Sequence, residues 1–381
     1  MRDCYNRIIK VSMFFCSLAI VLFLVSGPVH SGDYIEVSGP CHFQFPRDHG
    51  VHPGYLVEWW YYTGNLSDTS GKRYGFQLTF FRTRISPLKN QTTWPVPSSS
   101  WRTNQLFFAH AALSDLNEKH FYYDQQMARG AVGLAGVEQW EKNIKVYLGA
   151  WSTLLKPDKH LLKAQTDDFE LDLMLKPVKP PVAHGKAGYS LKGVKPESAS
   201  CYYSFTRLEV SGRLNVKGNA VAIKGIAWMD HEFSSAPLEP DIVGWDWFSL
   251  QFTNNTELMI YLLRNDQGIY SSASSGTLVM PSGQSRHLSF KDIHIDILKR
   301  WKSPNSDAVY PSRWRIQIHP LRFDLLVKPN MADQELITRK STRVTYWEGS
   351  VSVSGAMQGE KTEGVGYVEM TGYAAPFNTW E

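Results

Sequence analysis

Apolar positions in this chain recur every second residue over short runs, and almost nowhere at helical spacing. In Phe169-Glu170-Leu171-Asp172-Leu173-Met174-Leu175 the odd positions are all apolar, which gives an extended strand one core-facing side. Segments 74–82, 208–216, 258–263, 314–318 and 323–327 alternate or run apolar in the same way. Turn residues punctuate them: Asp68-Thr69-Ser70-Gly71, Lys217-Gly218-Asn219 and Pro281-Ser282-Gly283. No stretch carries a long, well-capped helical period, and 331–339 is the one place where a short helix is expected. Many short strands predict an all-β chain of antiparallel barrels or sandwiches. A barrel of about eight strands has an interior that fills with side chains or holds one small ligand.

The pattern also repeats. Trp60-Tyr61 answers to Trp247-Phe248, and Phe80-Phe81-Arg82 to Leu262-Leu263-Arg264. The run from Asp172 to Pro177 answers to that from Asp324 to Pro329, and Val210-Ser211-Gly212 to Val353-Ser354-Gly355. Last, Gly225-Ile226-Ala227-Trp228-Met229-Asp230 answers to Gly364-Val365-Gly366-Tyr367-Val368-Glu369. The offsets fall steadily, from 187 through 182, 152 and 143 to 139. One unit, duplicated, with longer loops in its first copy would give this series. The expected organisation is a leader (1–31), a first module (32–236) and a second (237–381), meeting near the prolines of 234–241. The extra sequence of the first copy lies at 83–110 and 176–200. The second of these, rich in Pro, Gly and Lys, is expected to be a long loop over a barrel mouth.

At 381 residues, two modules of this size each have room for a core. Arg2, Arg7 and Lys10 precede an apolar run at 11–25, and Pro28-Val29-His30-Ser31 supplies small residues for a signal peptidase. An export signal cleaved after Ser31 is expected, leaving a periplasmic or secreted protein with no stable membrane anchor. Its loss removes three bases and Asp3 from a net charge of +4, leaving about +2. Such a near-neutral surface makes no electrostatic case for nucleic acid or an anionic membrane. The lysines at 176, 179, 186, 192 and 195 are expected to be a solvated loop. Cys4 and Cys16 leave with the leader. Cys41 and Cys201 remain, and an oxidising compartment permits a disulfide that their spacing does not demand.

Acids flanked by indoles are the most suggestive chemistry. On strands, Trp228, Asp230 and Glu232 share one face, as do Glu58, Trp60 and Tyr62. Trp245 and Trp247 share a face with Asp246 opposite. A carboxyl group desolvated against indole rings has its pKa raised, which suits it to protonate an uncharged substrate. The alternative is a carboxylate that merely accepts an indole N–H and fixes the fold. Duplication favours that alternative for Asp230, whose counterpart is Glu369. Asp246, with Trp59 in the corresponding place, is the better functional candidate. His231, between two acids, is a candidate acid or base. His110 is read as a satisfied core histidine that points into the barrel, or else as a ligand contact. Walker, GxSxG, HExxH and GxGxxG patterns are absent. His49 and His52 lack a third metal ligand at persuasive spacing, so neither metal nor cofactor is expected.

Four motifs resemble the family of AttH-type proteins and carotenoid 1,2-hydratases: Glu58-Trp59-Trp60-Tyr61-Tyr62-Thr63-Gly64-Asn65-Leu66, Ala227-Trp228-Met229-Asp230-His231-Glu232-Phe233, Gly244-Trp245-Asp246-Trp247-Phe248 and Tyr346-Trp347-Glu348-Gly349. The closing 366–373 is similar too, and the resemblance spans about 52–376. It implies two tandem lipocalin-like barrels and an apolar, isoprenoid or lipid-like ligand. The hydratase branch adds water to a terminal alkene through a carbocation and needs no cofactor. On that analogy Asp246 or Asp230 is the proton donor and His231 its partner, with Trp60, Tyr62, His110, Trp228, Trp245 and Trp247 around the ligand. The Asp-His-Glu-Phe segment lies closer to the AttH branch, which tends to accompany ABC-type exporters. That implies the other reading, a non-catalytic carrier or periplasmic partner of such a system.

Overall fold

The computed structural model describes residues 34–87, 99–236 and 238–377. The leader with its Ser31 cleavage site, residues 88–98 of the first extra segment, and Pro237 of the linker lie outside them. The first half contributes thirteen strands: β1 (Val57–Asp68), β2 (Arg73–Arg84), β3 (Gln105–Asp115), β4 (His120–Arg129), β5 (Ala135–Trp140), β6 (Asn143–Leu148), β7 (Trp151–Leu155), β8 (His160–Gln165), β9 (Phe169–Pro177), β10 (Val182–Ala183), β11 (Tyr189–Leu191), β12 (Ala199–Val216) and β13 (Asn219–Ser234). The second half adds β14 (Ile242–Phe252), β15 (Glu257–Asn265), β16 (Ser275–Val279), β17 (Ser285–Ser289), β18 (Ile293–Lys302), β19 (Val309–Ile318), β20 (Phe323–Pro329), β21 (Glu335–Ile337), β22 (Thr345–Met357) and β23 (Glu360–Met370).

Each half is one antiparallel, barrel-like sheet round its own core. The first runs β4-β3-β2-β1-β13-β12-β9-β8-β7-β6-β5, and the second β17-β16-β15-β14-β23-β22-β20-β19-β18. From β4 to β7 and from β17 to β18 the two orders are the same, strand for strand. The short β11 on β12 has its counterpart in β21 on β22. The fold is therefore two tandem lipocalin-like barrels related by duplication.

Register tests the duplication residue by residue. Gly225 stands opposite Val210 and Leu66, and Gly364 opposite Val353 and Phe252. Four of the five sequence landmarks keep their alignment. The first does not: Tyr61 faces Asp230 and Trp247 faces Glu369, so Tyr61, not Trp60, corresponds to Trp247. With a side-chain period of two, a slip of one residue exchanges the faces of the strand. The counterpart of Asp246 is thus Trp60, not Trp59. Two further expectations are corrected. Residues 331–339 hold the strand β21 rather than a helix, because Glu335–Ile337 pairs with β22. The 176–200 segment does not cap a barrel mouth: β10 and β11 pair with β12, and the segment runs across the junction of the two halves. Its lysines are not all solvated. Lys179 is buried against Glu257 (2.7 Å), which also holds Arg207 (2.6 Å).

The central strands β1, β2, β13, β14 and β23 are buried on both faces. Trp60, Tyr62, Phe76 and Phe80 fill the first barrel, and Phe248, Leu250 and Trp314 the second. Their alternate residues form a third cluster between the barrels: Tyr61, Tyr202, Trp228, Trp247, Tyr261 and Tyr367. That double burial is why these segments read as runs of aromatics. Gly75 permits the close approach, since a Cβ there would stand 2.7 Å from the Tyr367 hydroxyl and 2.8 Å from Ser350 Cβ.

Candidate functional site

Between the two sheets lies a cavity of about 160 Å³. Trp59, Tyr61, Gln77, Phe81, His110, Asp230 and Glu232 line it from the first half. Trp245, Trp247, Tyr261, Leu263, Tyr346 and Glu369 line it from the second, and Lys192 closes one side. Asp230, Glu232 and Glu348 are buried and Glu369 is half-buried, and the four carboxyl groups are differently supported. Asp230 accepts from Trp228 Nε1 (2.6 Å), Tyr202 Oη (2.7 Å) and Ser204 Oγ. Burial outweighs those donors and pushes its pKa up to about 7. Glu369 rises to about 7 as well, through burial and the charges of Asp230 and Glu232, against a Trp245 hydrogen bond that holds it down. Behind them Glu348 accepts from Tyr61 Oη (2.8 Å), its Oε2 has no partner, and burial beside Glu369 drives its pKa well above the usual range. A carboxyl group titrating near neutrality in an apolar cavity can both hold and release a proton under working conditions.

The aromatic groups around the acids are fixed. Trp247 Nε1 donates to Tyr202 Oη (3.0 Å) and its ring meets Tyr61 and Trp228 edge-on, while Trp245 packs against Phe377. At the other end of the wall His110 is satisfied by Tyr346 Oη (2.7 Å) and Ser341 Oγ (2.9 Å). Burial takes its pKa down to about 3, so it stays neutral. It faces the second half, not the interior of the barrel.

A family model described as AttH-like matches residues 36–373. The chain belongs to the AttH-like family. An AttH protein of Nitrosomonas europaea has the same fold at a TM-score of 0.76, with 32% identity, covering 91% of this chain and 99% of that one. Kievitone hydratase of Nectria haematococca matches at a TM-score of 0.64 over 90% of this chain and 96% of that one. Its 15% identity makes this a likeness of fold. In sequence, kievitone hydratase of Fusarium solani subsp. phaseoli is 22% identical over 162 residues, only 42% of either chain.

In this AttH-like chain the residues singled out from sequence separate into two groups. Asp230, His110, Trp245 and Trp247 line the cavity, and Trp228 supports it from behind. Trp60, Tyr62, His231 and Asp246 do not reach it. Trp60 and Tyr62 point into the first barrel, where Trp60 donates to His49 O (2.9 Å) and Tyr62 meets His160 (3.1 Å). Their neighbours Trp59 and Tyr61 hold the places expected of them. His231 is on the opposite face of β13 from Asp230, so it cannot partner that acid; it meets Glu58 (2.9 Å) and Tyr203 (2.9 Å) instead. Asp246 is buried at the second barrel with Tyr270 (3.0 Å) and Tyr373 (3.0 Å).

Glu58, His52 and His231 also come together, with one ligand atom of each within 4.8 Å of the others. His49, paired with His52 in the sequence reading, is not one of the three; it meets Tyr203 instead (2.7 Å). Glu58 already accepts from His52 Nδ1 (2.8 Å), His52 N (2.9 Å), His231 Nε2 and Arg82 Nε (3.0 Å). A cation would have to displace these donors and stand beside a guanidinium. Sequence reasoning missed Glu369, Glu348, Tyr202 and Lys192 as site residues. Duplication had pointed at Glu369, since it named it the counterpart of Asp230.

Proposed function

We propose that this AttH-like protein binds an alkene-bearing, isoprenoid-like molecule between its barrels and adds water to it by acid catalysis. The observation that carries this is the pairing of Asp230 and Glu369. The duplicated acids, one from each half, face a single aromatic cavity, and each has its pKa raised to about 7. Protonation of the double bond by one of them leaves a carbocation, and the faces of Trp59, Trp245 and Trp247 stabilise it until water adds. A cavity of about 160 Å³ is small beside the ~300–1,000 Å³ of common ligand sites, so it takes one branched end of a longer ligand. The fold shared with kievitone hydratase supports the same reading as analogy.

Export belongs to the proposal. The Cys41–Cys201 disulfide (S–S 1.98 Å) suits a protein delivered by its leader to the periplasm or the medium. The competing role is a carrier, or a partner of an ABC-type exporter. A lipid extract incubated with the protein in oxygen-18 water separates the two, with Asp230→Asn and Glu369→Gln run alongside. The expected result is a labelled alcohol that at least one acid variant fails to make. Unaltered lipid held equally by all three proteins would leave the carrier.

A further inference from the structure

Glu232 lies two residues beyond Asp230 on the same face of β13 and lines the same cavity. Two residues along a strand set the two carboxyl groups roughly 6–7 Å apart. That separation admits a substrate carbon and a water between an acid and a base. The two groups differ in their partners. Asp230 meets only neutral donors, whereas Glu232 Oε1 stands 2.8 Å from Lys192 Nζ. At that distance the contact is a charge-assisted ion pair. Lys192 in turn is held in place by the segment that crosses the junction. Its ammonium lies over the rings of Tyr202 (4.9 Å) and Tyr261 (4.3 Å), and Tyr261 Oη donates to Leu191 O. At the far end of that segment Lys179 is anchored on Glu257 of the second barrel. Burial would discharge Lys192, but the neighbouring Glu232 carboxylate outweighs it and raises the Lys192 pKa, so the ammonium keeps its charge.

We infer that Glu232 is the base that takes the proton of the attacking water, and that Lys192 is the positioning residue that holds its carboxylate at the cavity wall through their 2.8 Å ion pair. This rests on the hydratase reading. The acid gives its proton to one alkene carbon, so a C–H bond forms as the π bond breaks. Water adds to the cation through oxygen, Glu232 accepts the proton that water loses, and that proton returns to the acid through solvent. The sum is alkene plus water to alcohol. Asp230, Glu369, Lys192, Tyr202 and Tyr261 are the titratable groups facing Glu232, and its environment changes if any of them does.

The test uses the whole protein, a lipid extract and 6-methylhept-5-en-2-one, a small ketone ending in an isopropylidene group, in deuterated oxygen-18 water. Glu232→Gln should lose labelled alcohol about 100-fold or more, with KM moved less than about threefold, the split expected when a transition-state contact is lost. It should still put deuterium into recovered alkene, because protonation continues while capture of the cation fails. Lys192→Met should lower the rate of alcohol formation with KM nearly unchanged, because the Glu232 carboxylate loses the ammonium that fixes it, and Lys192→Arg should restore the rate. Alcohol formed by Glu232→Gln at the wild-type rate overturns the assignment. So does joint loss of exchange and alcohol in a variant that folds as wild type, which would make Glu232 structural. Wild type that neither exchanges nor labels defeats the hydratase reading itself, an outcome distinct from both.

Discussion

Glu58, fully buried, and Glu369, half-buried at the cavity, are both glutamates beside tryptophan, and the fold treats them in opposite ways. Glu58, inside the first barrel, is surrounded by donors: two from His52, one from His231 and the Arg82 guanidinium. Those partners outweigh burial and hold its carboxyl far below the usual range. Glu369, between the barrels, faces other acids and is held down only by Trp245, so burial wins and its pKa climbs to about 7. Burial alone does not tell a structural acid from a chemical one; the number and charge of its donors do. Where this chain surrounds a carboxylate with cations and N–H groups it builds a wall. Where it withholds them it leaves a proton available.

The largest effect should come from removing the charge that is needed. Glu58→Gln leaves the Arg82 guanidinium buried without its counter-ion, and breaking such a pair costs about 3–5 kcal/mol. Glu369→Gln replaces a group that is already partly protonated near neutrality and leaves no buried cation without its counter-ion, so its cost should stay below about 1 kcal/mol. Denaturant midpoints of the two variants measure the contrast directly. Equal losses would mean that both acids are held alike and that the comparison is empty.

Next in size is the dependence of stability on pH, where the two acids should pull in opposite directions. The folded pKa of Glu58 is depressed, so its contribution is present above the unfolded value and is lost as pH falls. The pKa values of Asp230 and Glu369 are raised to about 7 from ordinary values of 3.8 and 4.5. Their folded states bind protons that the unfolded chain has released, so stability falls as pH rises from about 4 through 7. At about 1.4 kcal/mol per unit, on the order of 3–4 kcal/mol is at stake for each acid. Thermal melts from about pH 2.5 to 8 should show Glu369→Gln flattening the decline between pH 4 and 7, and Glu58→Gln the loss below about pH 4.5. A slope between pH 4 and 7 unchanged in Glu369→Gln would place its pKa elsewhere.

Most of the fold was legible in sequence because period two and turn chemistry are local. Phe169 to Leu175 alternates, Lys217-Gly218 turns, and both do in the structure what their pattern says. The short β21 was not, since Glu335–Ile337 is a strand only through its pairing with β22, a contact that residues 331–339 do not advertise. The site was half legible. Alternation put Asp230 and Glu232 together and set Trp245 and Trp247 against Asp246, and all of that holds. It could not say which face of a doubly buried strand meets the other barrel. A one-residue slip in matching Trp60-Tyr61 therefore brought forward Trp60 and Tyr62 in place of Trp59 and Tyr61. Nor does sequence show that a duplicated pair, Asp230 and Glu369, ends face to face. Read along the chain their likeness argued for a structural role; across the junction it makes one site.

That last point has a test of its own, in which the effect on the acids should exceed the effect on stability. Glu58, Arg82 and His231 all belong to the first barrel, whereas Asp230 and Glu369 meet only while the two barrels stay close. Gly75 sits at that contact, on β2 opposite Tyr367 and Ser350. A methyl group at 2.7–2.8 Å must push these atoms away by several tenths of an ångström, an overpacking cost of about 1–3 kcal/mol at this buried position. Gly75→Ala should therefore lower the midpoint of unfolding by less than Glu58→Gln does. Its effect on the acids should be out of proportion, because a wider junction lets water reach Asp230 and Glu369 and returns their pKa values toward those of ordinary carboxylates. The decline of stability between pH 4 and 7 should weaken in Gly75→Ala, and formation of labelled alcohol should fall further than stability does. The Glu58 side of the profile, internal to one barrel, should not move. A variant in which both sides shift together, or neither does, would show that the junction does not set the chemistry of these acids.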